Sequence, residues 1–219
     1  MTISNRLLLC ADFVAPGDRV ADVGCDHGYL GIHLLQKGIA RSVIASDINE
    51  MPLKSAIKNA EKYGVKDQMS FYLSDGVQNI PREFDCLICA GMGGDTMVSI
   101  LSDAPWLKSE SYRLILQCQS KTPLLRRYLS ENGWYIAKES LARDGKFLYT
   151  VMEVIYQPGT LLTPGQWYIS PALNKDNAPE LGEYRRRIVE GLALAAEHKD
   201  DPMLTQALQE LKEDSHDNG

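Results

Sequence analysis

The stretch VADVGCDHGYLGIHLL, residues 20–35, decides how the chain folds. An apolar start rich in valine runs into glycines at 24 and 28, and apolar residues then return at helical spacing. It reads as a strand over 18–24, a tight turn, and a helix over 29–38 closed by Gly38. The turn carries a carboxylate and an imidazole, Asp26 and His27, where nucleotide-binding turns often have only small residues.

The same alternation continues outward. A helix with a mixed face is expected over 3–14. Strands are expected at 41–47, 69–76, 84–94 and 112–119. Helices are expected at 51–64, with Pro52 in the first turn, at 95–102, and at 122–133, with Pro123 at the first helical position. Residues 134–157 read as a hairpin turning at Arg143-Asp144-Gly145-Lys146. This order calls for an α/β fold: a mostly parallel sheet with helices on both faces and an antiparallel edge hairpin. The texture changes after residue 157. Residues 158–179 are rich in turn formers, and two helices follow at 180–198 and 202–214. Their stripes, Leu181, Ile188, Leu192 and Ala195 against Leu204, Leu208 and Leu211, suit a small antiparallel helical hairpin or coiled coil. The division expected is a catalytic domain over 1–157 and a C-terminal helical domain over 158–219.

With 219 residues, 44% hydrophobic and 24% charged, the chain can bury a proper core. No apolar run reaches the roughly 18–20 residues needed to span a bilayer. The RLLLCADFV stretch lacks the long charged start and small residues of a leader, and reads as an amphipathic helix. Five cysteines, an odd number set mostly in apolar runs, fit reduced thiols buried in a cytoplasmic protein. Cys86 and Cys89 would face opposite sides of a strand, so no metal site is expected. A net charge of −6 argues against coating by nucleic acid through bulk charge but leaves room for a local basic patch.

In such a sheet, ligands bind beyond the carboxyl ends of the strands. Strand one delivers Asp22 through Tyr29, strand two Asp47, Ile48 and Asn49, strand three Asp75 and Gly76, and strand four Ala90 through Gly94. Gly24 and Gly28 let backbone approach a ligand. Asp47, about 20 residues past the turn, stands where an acid accepts hydrogen bonds from ribose hydroxyls. Asp75 can accept from an exocyclic amine. Each acid alone would serve as well for a helix cap; the four strand ends together point to a nucleoside. Asp26 inside the turn would repel a pyrophosphate, by about 4 kcal/mol at an effective dielectric near 20. It would attract a cationic ligand such as S-adenosyl-L-methionine, a sulfonium with an α-ammonium.

The motifs DVGCDHGYL, ASDIN, SDG and AGMGG resemble class I S-adenosylmethionine-dependent methyltransferases, and more narrowly the TrmK family of bacterial tRNA (adenine(22)-N1)-methyltransferases. The usual first motif is D-x-G-x-G-x-G; here its middle glycine is Asp26, followed by His27, as in the TrmK-like variant. The resemblance covers the whole chain and implies a Rossmann-like sheet with a coiled-coil-like appendage. It implies methyl transfer to adenine N1 in the D-loop region of tRNA, with S-adenosyl-L-methionine as cofactor, tRNA as partner and no obligate protein partner. By that resemblance Asp22, Gly24, Gly28, Asp47, Ile48, Asn49, Asp75 and Gly76 line the cofactor, and Gly91 and Met92 close the acceptor side. Asp26, His27 and Tyr29 sit at the methyl end. Asp26 is expected to stabilise the charge developing on the ring, and His27 or Tyr29 to stack on or hydrogen-bond the base, with His27 equally suited to orienting a neighbour or capping the helix. Candidate phosphate contacts are Arg6, Lys54, Lys58, Lys121, Arg126, Arg127, Arg143 and Lys146, any one of which would serve as well on a solvated helix face, and the basic run 184–187 reads either as a tRNA clamp or as plain surface. The residues alone also admit a methyltransferase acting on another RNA or a small molecule, a non-catalytic nucleotide binder, and an NAD-dependent dehydrogenase. The last is disfavoured by Asp26 and the missing third glycine.

Overall fold

A computed structural model describes residues 2–176 and 178–214. The helices are α1 Asn5–Asp12, α2 Tyr29–Gln36, α3 Glu50–Lys62, α4 Gly94–Ser102, α5 Thr122–Glu131, α6 Pro164–Tyr168, α7 Pro171–Asp176, α8 Leu181–His198 and α9 Pro202–Glu213. The strands are β1 Arg19–Val23, β2 Ser42–Asp47, β3 Met69–Leu73, β4 Cys86–Gly93, β5 Arg113–Ser120, β6 Trp134–Asp144 and β7 Phe147–Tyr156. They form one seven-stranded sheet in the order β3-β2-β1-β4-β5-β7-β6. The first five run parallel, and β7 enters antiparallel between β5 and β6. The expected alternation and edge hairpin are both present.

The apolar periodicity explains the layers. Residues of α1, α2 and α3, including Cys10, Leu34 and Ala56, bury against one face of the sheet with Val43 and Ile115. Residues of α4 and α5, including Met97, Leu101 and Leu125, bury against the other with Ala21 and Leu116. Cys86 belongs to the first core and Cys89 to the second, so the CxxC pair straddles the sheet. All five thiols are free and buried. Burial pushes Cys10 and Cys89 up to about 12, so they are inert at neutral pH. Among the described residues no helix is long and apolar enough to cross a membrane, and no cluster of three or more His, Cys, Asp or Glu is placed to hold a metal.

The segment read as turn-rich over 158–179 differs from expectation, because it contains α6 and α7. Thr163 caps α6 with a full capping box, its hydroxyl accepting from the Gln166 N–H while Gln166 reaches back. Pro164 and Pro171 open the two helices, so a composition of turn formers was also a composition of helix starts. Helices α8 and α9 pack together, and Leu192, Ala207 and Leu211 bury with Leu173, Ile169 and Leu141 of β6. The helical hairpin is therefore seated on the sheet through α6 and α7.

A buried ion pair fastens that seat. Arg126 of α5, expected as a phosphate contact, is fully buried, with its NH2 2.6 Å from Glu139 of β6. Its other terminal nitrogen donates to the carbonyls of Trp167 (2.8 Å) and Tyr168 (2.7 Å), and the Ser170 hydroxyl donates to Glu139 (2.5 Å). Burial, the largest single influence, would push the guanidinium pKa down; the Glu139 charge, Tyr184 and the hydrogen bonds to both together outweigh it, and the net shift is upward. Removing one member leaves an uncompensated buried charge. Glu139→Ala should therefore destabilise the chain by about 3–5 kcal/mol, read from urea unfolding, whereas Arg127→Ala, at an exposed i,i+4 pair with Glu131, should cost under about 1 kcal/mol. Equal costs would remove the pair's structural role.

Candidate functional site

The carboxyl edge of the parallel strands holds two recesses that meet at Gly24. One, about 260 Å³, is lined by Asp47, Ile48, Asn49, Asp75, Gly76 and Met92, among others. The second, about 80 Å³, is lined by Asp22, Asp26, His27, Tyr29, Arg6 and Ala90, among others, and Gly24 borders both. Nearly all the expected site residues thus come together. A further cavity of about 270 Å³ lies at the opposite edge, beside Trp134 and α7, and carries no acid.

Three residues two apart hold the turn in left-handed backbone: Gly24 (φ 69°), Asp26 (φ 50°) and Gly28 (φ 72°). An aspartate tolerates this region better than most side chains but still at a cost. Asp47 secures it: Oδ2 accepts the Asp26 N–H at 3.2 Å and Oδ1 the Asn49 N–H at 2.9 Å. One carboxylate therefore ties the end of β2 to the turn after β1. The expectation for Gly28 needs correction. A Cβ there would fall 2.9 Å from the Cβ of Ala56, so this glycine lets α2 pack close to α3. At Gly24 a Cβ would lie 2.2 Å from Met92 Cε, so this glycine makes room for Met92 to wall the larger recess.

Asp26 and His27 project outward at the mouth, with side chains 71% and 50% exposed and Nε2 3.6 Å from Oδ1. The His27 and Tyr29 rings lie 5.8 Å apart, tilted by 39°. These three form an open rim, available to a second substrate. Asp22 lies beneath it, only 3% exposed, and its Oδ2 has no hydrogen-bond partner. Burial raises its pKa to about 7, the Gly31 N–H opposes the rise, and Asp47 adds to it. An orphaned buried carboxylate in a recess wants a cation, and the α-ammonium of S-adenosyl-L-methionine fits that demand. In the larger recess, Asp47 and Asp75 present acceptors, while Ile48, Met92 and Ile100 supply apolar walls suited to a nucleoside.

Gly91, expected to close the acceptor side, instead donates its N–H to Gln117 Oε1 at 3.0 Å. The same oxygen accepts from Arg6 at 2.8 Å, so a buried glutamine of β5 sets both the glycine loop and a guanidinium in the small recess. Sequence reasoning missed Gln117; the signal was an amide following the apolar run LIL, residues 114–116, at a fifth strand end. Arg6 was expected only as a phosphate contact. Two arginines of the basic run 184–187 are engaged within the protein: Arg185 donates to the Leu211 carbonyl and to Asn174, and Arg187 pairs with Glu183 and donates to the Lys146 carbonyl, while Arg186 is exposed. Arg143 pairs with Glu183, and Arg127 with Glu131. Of the expected phosphate contacts, Lys54 pairs with Glu50 and Lys121 with Asp95 on exposed surfaces.

Residues 3–152 match a family model described as a methyltransferase domain. The chain is 32% identical over 148 residues to the tRNA (adenine(22)-N(1))-methyltransferase of Bacillus subtilis, covering 67% of this chain and 62% of that protein. It is 27% identical over 134 residues to the ribosomal protein L11 methyltransferase of Thermotoga maritima, covering 60% and 49%. Among solved structures, Streptococcus pneumoniae Sp1610 in complex with S-adenosyl-L-methionine superposes with a TM-score of 0.86 at 31% identity, covering 97% of this chain and 99% of that one. The chain spans about three fifths of the length of the curated relatives it matches.

The pKa of Asp22 has a consequence for stability. Its folded value lies above the unfolded one, so folding favours the protonated acid, and the ligand-free protein loses stability as pH rises from about 4 to about 7. Thermal unfolding followed from pH 5 to pH 8 should show this loss, on the order of 3 kcal/mol, in the wild type and its absence in Asp22→Asn. Parallel profiles for the two proteins would show that Asp22 ionises freely.

Proposed function

Because the chain belongs to the methyltransferase-domain family, we propose that it transfers a methyl group from S-adenosyl-L-methionine to N1 of adenine 22 in tRNA. The observation that carries the reading is the pair of recesses joined at Gly24, with an orphaned acid inside and an exposed acid at the mouth. The substrate follows the Bacillus subtilis relative and the motifs around Asp26 and His27. A bacterial tRNA enzyme with buried, reduced thiols belongs in the cytoplasm.

S-adenosyl-L-methionine supplies an electrophilic methyl group on a sulfonium. The chain's own residues bind and orient. Asp47 accepts from the ribose hydroxyls with its remaining lone pairs, and Asp75 accepts from the adenine amine of the cofactor. Asp22 and Arg6, in one recess, match the ammonium and carboxylate of the amino-acid end. With the amino-acid end held by Asp22 and Arg6, the residues left to face a second substrate would be Asp26, His27 and Tyr29 of the same recess. Adenine N1 has an in-plane lone pair and attacks without prior deprotonation, so alignment is the main requirement. The target base must leave its stack to expose that edge. The N1–methyl bond would form as the methyl–sulfur bond breaks and the sulfur leaves as a neutral thioether; the positive charge would then lie on the adenine ring, where the Asp26 carboxylate would stabilise it. Asp26 then accepts the N6 proton if it is released, while His27 and Tyr29 offer ring faces and a hydroxyl to the base.

The test is incubation with methyl-labelled cofactor and bulk bacterial tRNA, followed by nucleoside analysis. Label is expected in N1-methyladenosine. Label in another nucleoside would move the assignment to a different RNA target. Asp26→Asn keeps a residue that accepts left-handed backbone and removes only the charge. It should lower kcat by at least about 100-fold, roughly 2.7 kcal/mol, with cofactor affinity within tenfold. Turnover near the wild-type value would remove Asp26 from the chemistry.

Cofactor binding by calorimetry gives a second check. A cation beside Asp22 favours its ionised form, so affinity should rise as pH goes from 5.5 to 7, with proton release seen as a buffer-dependent enthalpy. Asp22→Asn should bind more weakly and flatten the dependence. A pH-independent wild type would separate Asp22 from the ammonium.

A further inference from the structure

The β6–β7 hairpin overhangs the site. In the antiparallel register Cys118, near the carboxyl end of β5, lies opposite Thr150 of β7. Strand β5 ends two residues further on, at Ser120, and Phe147, three residues past the pairing, reaches about one residue beyond that end. Alternation sets the face. Phe147 and Tyr149 share a side of the strand with Val151, which buries in the core beneath α1. Both rings thus face the side where α1 roofs the small recess. The hairpin is tied there: Asn5 donates to the Arg143 carbonyl at 2.8 Å, and Arg6, which lines the recess, lies 3.8 Å from Asp144. Asp144 is the cross-strand partner of Phe147.

Phe147 is 51% exposed at this position. Its ring lies 6.0 Å from that of Tyr149, and the Lys146 ammonium lies 5.3 Å from its centroid. An aromatic so placed is not serving the core. From behind, the Arg187 guanidinium holds the Lys146 carbonyl, and Arg143 pairs with Glu183 of α8. The tip is an aromatic platform with a cation beside it, braced by the C-terminal helices and set at the rim of the methyl-transfer recess.

We propose that Phe147, with Tyr149 behind it, stacks on an unpaired nucleobase next to the methylated adenine and so positions the RNA, with Lys146 reaching a phosphate. The inference rests on the tRNA-methyltransferase reading. Stacking on an aromatic side chain tolerates any base and weakens sharply when the ring is lost. The role is substrate positioning, separate from cofactor binding and from the chemistry of Asp26.

The test compares the full-length wild type with Phe147→Ala, Phe147→Leu and Phe147→Trp, all at an exposed site that leaves the fold intact. KM for tRNA is measured at saturating cofactor, tRNA affinity by fluorescence anisotropy, and cofactor affinity by calorimetry. Alanine and leucine should raise KM and weaken tRNA binding about tenfold or more. kcat should stay within threefold and cofactor affinity within twofold, while tryptophan should restore wild-type values. The salt dependence of binding should not change slope, because no charge is lost. A KM within twofold for alanine, or leucine performing as well as tryptophan, would overturn the stacking role. If the wild type binds tRNA without methylating it, the substrate assignment fails and the anisotropy series alone decides the platform. A wild type that does not bind tRNA overturns both.

Discussion

The turn between β1 and α2 is the constraint on which the site depends. Left-handed backbone at residues 24, 26 and 28 reverses the chain within five residues and keeps the start of α2 close to the sheet. Two of these positions are glycines held small by Met92 and Ala56, and the third is an aspartate held by Asp47. Each neighbour contributes to a second feature: Met92 and Asp47 line the larger recess, and Ala56 belongs to the α3 packing face. The geometry of the turn and the shape of the pocket are therefore one arrangement.

The parallel strands and their helices were legible because each carries its apolar residues at the period of its element. Val20 to Val23 form a buried strand, and residues 51–64 carry a striped helix closed by Gly64. The strand-end acids were legible for the same reason, since the end of a strand can be counted along the chain. What could not be read depends on contacts far apart in sequence. Arg126 looked like a surface cation because nothing nearby shows that Glu139, Ser170 and two carbonyls surround it. Arg187 in the basic run pairs with a residue of its own helix and with a hairpin carbonyl. A count of charges cannot distinguish a cation already engaged from one facing solvent. Gln117 was overlooked because its role depends on Arg6, more than a hundred residues away.

The C-terminal helices acquire a purpose from these contacts. They are bound to the sheet by Arg126 and Glu139 and to the hairpin by Arg143 and Arg187. A hairpin reaching past the edge of its sheet has few neighbours of its own, and a projecting ribbon of two strands is weakly stable alone. The helical unit gives it a back wall. Arg187 of this unit holds the hairpin through the Lys146 carbonyl.

Asp26 sits in backbone that glycine occupies at no steric cost. Survival at high temperature, taken alone, would favour glycine at this position, and a chain so relaxed would keep its fold while its mouth lost the carboxylate. Directed evolution toward heat tolerance alone would thus drift away from a carboxylate at this residue. The conformational tension in the turn marks a place where robustness and the charge at the mouth oppose each other.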